Sequence, residues 1–148
     1  MHLTLKFLGE VEAEREREIS NAVESTVAGA PRFVLPINGF GAFPSSVRPR
    51  VFWVGCEPVP ALELLQDRLE RQMASIGFPI DGRPFRPHLT LGRVRRDAKP
   101  AAVRSLSPKV EELSYRTEIN VESVELMEST LSSRGACYVV RHSVELVQ

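Results

Sequence analysis

His2-Leu3-Thr4-Leu5 opens the sequence, and His88-Leu89-Thr90-Leu91 returns eighty-six residues later. Each copy sets an imidazole and a hydroxyl two residues apart, with Leu between and after them. In an extended strand alternate side chains share a face, so His and Thr point one way and the two Leu the other. Each tetrapeptide therefore reads as a strand with one apolar face for a core and one face carrying titratable and hydrogen-bonding groups. A single copy has an ordinary reading as a hydrogen-bonded strand-end histidine. Two copies with the same internal pattern point to a paired task.

Imidazole titrates near 6.5 when unperturbed, so one copy can be neutral while the other is protonated close to neutral pH. A base and an acid on either side of one reacting atom suit in-line displacement at phosphorus. One group takes a proton from the attacking oxygen and the other gives one to the leaving oxygen. No metal ion is obligatory for that chemistry. The Thr4 and Thr90 hydroxyls would donate to the non-bridging phosphoryl oxygens and stabilise charge that grows in the transition state.

With their flanks, HLTLKFLGE and RPHLTLGRV, the motifs resemble those of the two-histidine phosphoesterases, and within them the bacterial and archaeal RNA 2',3'-cyclic phosphodiesterases, historically called 2'-5' RNA ligases. The likeness extends to Gly39-Phe40-Gly41-Ala42-Phe43-Pro44, to Pro49-Arg50-Val51-Phe52-Trp53-Val54-Gly55 and to Leu126-Met127-Glu128-Ser129. The resemblance implies an α+β fold in which residues 1–148 form a single domain of two pseudo-symmetric lobes. Each lobe would be an antiparallel sheet with flanking helices, with the active-site cleft between them. It implies hydrolysis of RNA 2',3'-cyclic phosphate ends to 2'-phosphates, with His2 as acid and His88 as base. The same geometry with a 5'-hydroxyl as nucleophile would make a 2'-5' linkage. No cofactor and no metal is implied, and the expected partner is an RNA or oligonucleotide end. Members of the family usually carry a strand and a helix, roughly forty residues, ahead of the first motif. This chain begins one residue before it, so Met1 is either a misassigned or truncated start or the true start, in which case the first sheet lacks a strand, leaves an edge unpaired or paired elsewhere, and has a charged terminus beside His2.

Length and composition agree with one globular unit able to bury a substantial core. The 43% hydrophobic and 26% charged content are ordinary, and no apolar run reaches the length of a membrane span. A soluble, cytoplasmic monomer is expected. Equal acidic and basic counts argue against a protein that coats long nucleic acid by charge alone, while recognition of a short end stays open. Cys56 and Cys137 lie outside any CxxC spacing and read as buried, reduced thiols.

Hydrophobic periodicity orders the elements. Residues 2–8 read as the first strand, and 10–28 as a helix with Ile19, Val23 and Val27 on one face. Residues 32–38 read as a strand, 39–49 as a Gly/Pro/Ser-rich loop, and 51–56 as a strand. From Pro60 a helix carries Leu62, Leu65, Leu69, Met73 and Ile76 as a core stripe and ends at Gly77. The second motif strand covers 88–94, a helical stretch 101–113, and two long strands 115–128 and 137–146 flank a turn at Ser132-Ser133-Arg134-Gly135.

Beyond the motif residues, Arg93 is the strongest positional candidate. Simple alternation turns it away from His88 and Thr90, but a bulge at Gly92 would re-aim it, and the resemblance puts an Arg here in the substrate pocket. Phe7 has two readings: a third member of a core row with Leu3 and Leu5, or, by resemblance, a ring that stacks on a nucleobase. Lys6 shares the alternation of His2 and Thr4, and reads either as an offset to phosphate charge or as a solvated side chain. The basic residues Arg83, Arg86, Arg93, Arg95, Arg96 and Lys99 either steer an RNA backbone or form a solvated loop. His142 stands alone in the last strand and reads as structural or exposed. Two functional alternatives stay open: a non-catalytic nucleotide or RNA-end-binding domain, and a two-histidine enzyme acting on another cyclic nucleotide phosphate.

Overall fold

The computed structural model describes residues 1–95, 97–132 and 135–148. It is a mixed α+β chain that divides into two compact units. The first holds residues 1–5, 34–59 and 84–119; the second holds residues 6–33, 60–83 and 120–148.

In the first unit, β1 (Phe33–Phe43), β2 (Val51–Cys56), β3 (His88–Arg93) and β4 (Arg116–Val121) form a four-stranded sheet in the order β3-β2-β1-β4. β2 runs antiparallel to both β1 and β3. One face buries Leu35 and Ile37 from β1 and Val54 and Cys56 from β2. α1 is the helix Glu16–Val27, α2 is Pro60–Ser75, and α3, at Pro100–Glu111, begins on a proline, which tolerates the first helical turn because its missing N–H would have had no partner there.

Here the Gly39 to Pro49 stretch departs from its reading as a loop, because β1 runs on through Phe43. Two glycines explain it. Gly39 has φ +68° and is the extra residue between the pairs Asn38↔Gly55 and Phe40↔Val54, a bulge that a side chain would strain. Gly41 lies under the Trp53 indole, where a Cβ would come within 2.4 Å of Cζ2. Glycines that look like loop residues in sequence are here what lets the strand continue.

In the second unit α1 packs on α2 and on the hairpin of β5 (Ser123–Ser132) and β6 (Gly135–Glu145). Ile19, Val23 and Val27 of α1 and Leu62, Leu65, Leu69 and Met73 of α2 are buried, as their spacing predicts. α2 ends in a Schellman arrangement. Phe78 N–H donates to Met73 O (2.9 Å) and Gly77 N–H to Ala74 O (3.1 Å), with Gly77 at φ +94° and the Phe78 and Met73 side chains both buried. The units are thus unequal in content: four strands and α3 in one, two strands with α1 and α2 in the other.

Other boundaries move. The 10–28 helix becomes a short 3-10 turn, Ala13–Arg15, followed by α1. The strand read over 115–128 is two strands in different sheets, broken at Glu122, whose carbonyl accepts from Leu146 N–H. The turn read at Ser132 to Gly135 has positions 133 and 134 outside the described residues. Cys56 is buried, and that burial pushes its thiol up to about 11; Cys137 is exposed, contrary to its buried reading, because the β6 segment carrying it is exposed throughout. His142 Nε2 sits 3.0 Å from Glu24 Oε1, off the line of a hydrogen bond, which makes it a structural residue between β6 and α1. No helix among the described residues is long and apolar enough to cross a membrane.

Candidate active site

β3 presents the second motif with its expected alternation. Leu89 pairs with Val54 on the face that buries Val54 and Cys56, while His88 pairs with Gly55 and Thr90 with Trp53 on the other. The first motif is shorter than the strand read over residues 2–8. Its only ladder contact among the described residues is an antiparallel bridge from Leu3 to Leu89. That one contact joins the two motifs. Paired residues share a face, so Leu3 joins Leu89, and His2 and Thr4 take the face of His88 and Thr90.

Antiparallel direction then sets the order: His2 falls beside Thr90, and Thr4 beside His88. Extended alternation from that bridge would set the four side chains at the corners of a rectangle, with the histidines on one diagonal and the threonines on the other. Diagonal cross-strand neighbours lie about 7 to 8 Å apart, enough for one phosphoryl group between two imidazoles. A local twofold through the Leu3–Leu89 contact relates the motifs, the order that paired acid and base, and paired donors, require.

The contacts of His88 are specific. The ring of His88 bonds through Nδ1 to Arg86 O at 2.7 Å; a carbonyl only accepts, so Nδ1 carries the hydrogen and Nε2 of the neutral ring is left as an acceptor. Its ring also meets the Phe43 ring edge-on, centroids 5.0 Å apart at 83°, and stands 6.3 Å from Trp53. None of these three contacts was legible in the motif itself. Arg86 and Phe43 lie in segments whose readings were a basic loop and a glycine loop.

Arg93 joins the same face through a bulge one residue earlier than the Gly92 position considered in sequence. Trp53 pairs with Thr90, Phe52 with Gly92 and Val51 with Arg93, so Leu91 is the extra residue. Val51 and Trp53 share a face of β2, and so do their partners Arg93 and Thr90. The exposed guanidinium is thereby turned to the His/Thr side.

Two readings of the first segment are corrected. Lys6 is neither solvated nor an offset to phosphate. Its ammonium is buried, 2.6 Å from Glu70 Oε2 and 2.8 Å from Pro79 O, because α2 supplies a carboxylate where the chain leaves the motif. Phe7 is not the third member of a core row, since alternation ends where Lys6 turns inward; its ring is 81% exposed. In the basic stretch, Arg83 is paired with Asp81 and Arg95 with Asp97, which removes two of the charges from a steering field. The Arg83 hydrogen bonds hold the Asp81 carboxyl down at about 2. Arg96 lies outside the described residues.

The sequence profile of the 2'-5' RNA ligase superfamily matches residues 1–132. The chain is 34% identical over 146 residues to the RNA 2',3'-cyclic phosphodiesterase of Thermotoga maritima, covering 98% of this chain and 75% of that protein. It is 35% identical over 138 residues to the protein of the same name in Archaeoglobus fulgidus, covering 93% and 75%. Among solved structures, TT0787 of Thermus thermophilus superposes with a TM-score of 0.82 at 27% identity, covering 98% of this chain and 77% of that one. Escherichia coli LigT complexed with 3'-AMP superposes with a TM-score of 0.76 at 28% identity, covering 99% and 77%.

Proposed function

Since the chain belongs to the 2'-5' RNA ligase superfamily, we propose that it opens 2',3'-cyclic phosphates at RNA ends to 2'-phosphates, with His2 and His88 as the proton-transfer pair and without a metal ion. The observation that carries the reading is the Leu3–Leu89 bridge, which joins the two motifs antiparallel, and strand alternation from it supports a diagonal arrangement of the two histidines and two threonines on one face.

His88 acts as the base. Its Nε2 takes a proton from water while the oxygen attacks phosphorus, and the Arg86 carbonyl holds the Nδ1–H and so orients the ring. His2, protonated, gives its proton to the departing 3' oxygen. The P–O3' bond breaks, the ring opens, and a 2'-phosphomonoester and a 3'-hydroxyl result. Thr4 and Thr90 donate to the two non-bridging oxygens, and Arg93 adds fixed positive charge on the same face. The same course, with a 5'-hydroxyl in place of water attacking phosphorus as the P–O3' bond breaks, makes the 2'-5' linkage. Phe7 belongs to the second unit; its assignment to the nucleobase rests on the resemblance and on its exposed ring.

The deciding experiment incubates the protein with 2',3'-cyclic AMP in excess chelator and identifies the product. Adenosine 2'-monophosphate is expected. The 3' isomer would reverse the leaving-group assignment. Measurable binding with no turnover would make the chain a recognition domain, a reading that E. coli LigT's structure with 3'-AMP keeps in view.

A further inference from the structure

On the His/Thr face of the sheet, three rings gather where strand alternation would have scattered them. Phe43 and Trp53 stand 5.2 Å apart at 35°, and both face His88, at 5.0 and 6.3 Å. The indole lies over Gly41, a position where a side chain would not fit beneath it. A Cβ on Gly41 would meet Trp53 Cζ2 at 2.4 Å; one on Gly55 would meet Asn38 O at 2.7 Å and Trp53 Cζ3 at 3.6 Å. The Gly39 bulge then matters. It reverses the facing of every later residue of β1, and brings Gly41 and Phe43 to the site side.

From this arrangement we infer that Phe43, seated on Trp53, is a positioning residue for His88. The inference rests on the proposed acid–base role of that histidine. One hydrogen bond to Arg86 O fixes a point on the imidazole but leaves the ring free to swing about it. The Phe43 ring, at 83° to the imidazole, and the tilted Trp53 ring stand beside it, so that the ring keeps Nδ1 on the carbonyl and Nε2 toward the phosphorus. Aromatic walls suit this task because they restrain the ring without offering Nε2 a competing hydrogen bond.

The test compares wild type with Phe43→Ala, Phe43→Tyr and Gly41→Ala on 2',3'-cyclic AMP and 2',3'-cyclic UMP. In parallel, the His88 tautomer is read by nitrogen-15 NMR at a pH where the imidazole is neutral. Wild type should show the Nδ1–H form alone. Phe43→Ala should lower kcat about tenfold to a hundredfold with KM little changed, as expected when a reacting group is misplaced by about 1 Å, and should show mixed tautomers. Phe43→Tyr restores the edge contact and should recover both readouts. Gly41→Ala leaves every ring in place chemically but must move the indole by about 1 Å, from 2.4 Å to the ordinary 3.4 Å contact, so it should lower kcat in the same sense. It carries the test if Phe43→Ala fails to fold. A single unchanged tautomer with wild-type kcat in Phe43→Ala overturns the inference. So does a loss confined to KM that differs between adenine and uracil, which would make the ring a base platform. If wild type turns over neither nucleotide, the functional reading falls, while the tautomer comparison still decides whether Phe43 positions His88.

Discussion

Lys6→Met should destabilise the protein by about 3 kcal/mol, and the size follows from the geometry around Glu70. Both side chains of the pair are nearly inaccessible, at 6% and 9% exposure, and the ammonium has two partners, Glu70 Oε2 at 2.6 Å and Pro79 O at 2.8 Å. Removing one member of a buried pair typically costs about 3–5 kcal/mol, because the other charge is left without its counter-ion. Two features place this case at the lower end. Glu70 keeps weak donors in Gln66 Nε2 at 3.4 Å and Asp81 N–H at 3.3 Å, and the methionine chain fills most of the lysine stem's volume. For a chain of this size about 3 °C of melting temperature accompanies each kcal/mol, so the midpoint should fall by about 10 °C. The double variant Lys6→Met/Glu70→Leu removes both charges and should be more stable than Lys6→Met alone, with a coupling of about 2 kcal/mol. Urea unfolding followed by circular dichroism at pH 7 measures all four corners of the cycle. A Lys6→Met variant within about 0.5 kcal/mol of wild type, or a double variant equal to the sum of the singles, would refute the assignment of Lys6 as a buried anchor.

His2→Ala and His88→Ala should each lower kcat/KM by about a hundredfold to ten-thousandfold, with the double variant little worse than either; near-full activity in one single would exclude a two-histidine mechanism. Thr4→Val and Thr90→Val should cost about tenfold to a thousandfold in kcat, and rates equal to wild type would leave them as strand formers only. The pH–rate profile should be bell-shaped and insensitive to chelator; a monotonic rise toward high pH, with loss in chelator and rescue by divalent ions, would instead indicate a metal-bound hydroxide. Cys56, held up at about 11 against 9.0 for a free thiol, contributes stability that is intact below pH 9 and is lost as pH rises from about 9 to 11. The stability difference between wild type and Cys56→Ala should therefore shrink across that window, and a constant difference would refute it.

What the sequence by itself determined is what local periodicity carries. The alternation within His-Leu-Thr-Leu put imidazole and hydroxyl on one side and leucine on the other. The apolar stripes of α1 and α2 and the glycine stop at Gly77 follow from a helical repeat that needs no partner to be read. Tertiary structure decided what depends on a neighbouring strand or helix. A bulge is a mismatch between two strands: the extra residue at Leu91, which turns Arg93 toward the histidines, exists only relative to β2, as Gly39's exists relative to the same strand. The role of Gly41 is set by the indole above it, so a glycine read as a loop proves to be a strand position with a ring in place of a side chain. Lys6 and Phe7 continue the motif's alternation in sequence, yet the carboxylate of Glu70, sixty-four residues away, takes one inward and leaves the other to solvent. The relation between the two motifs belongs to the same class: each motif names its own groups, and only the Leu3–Leu89 contact joins them.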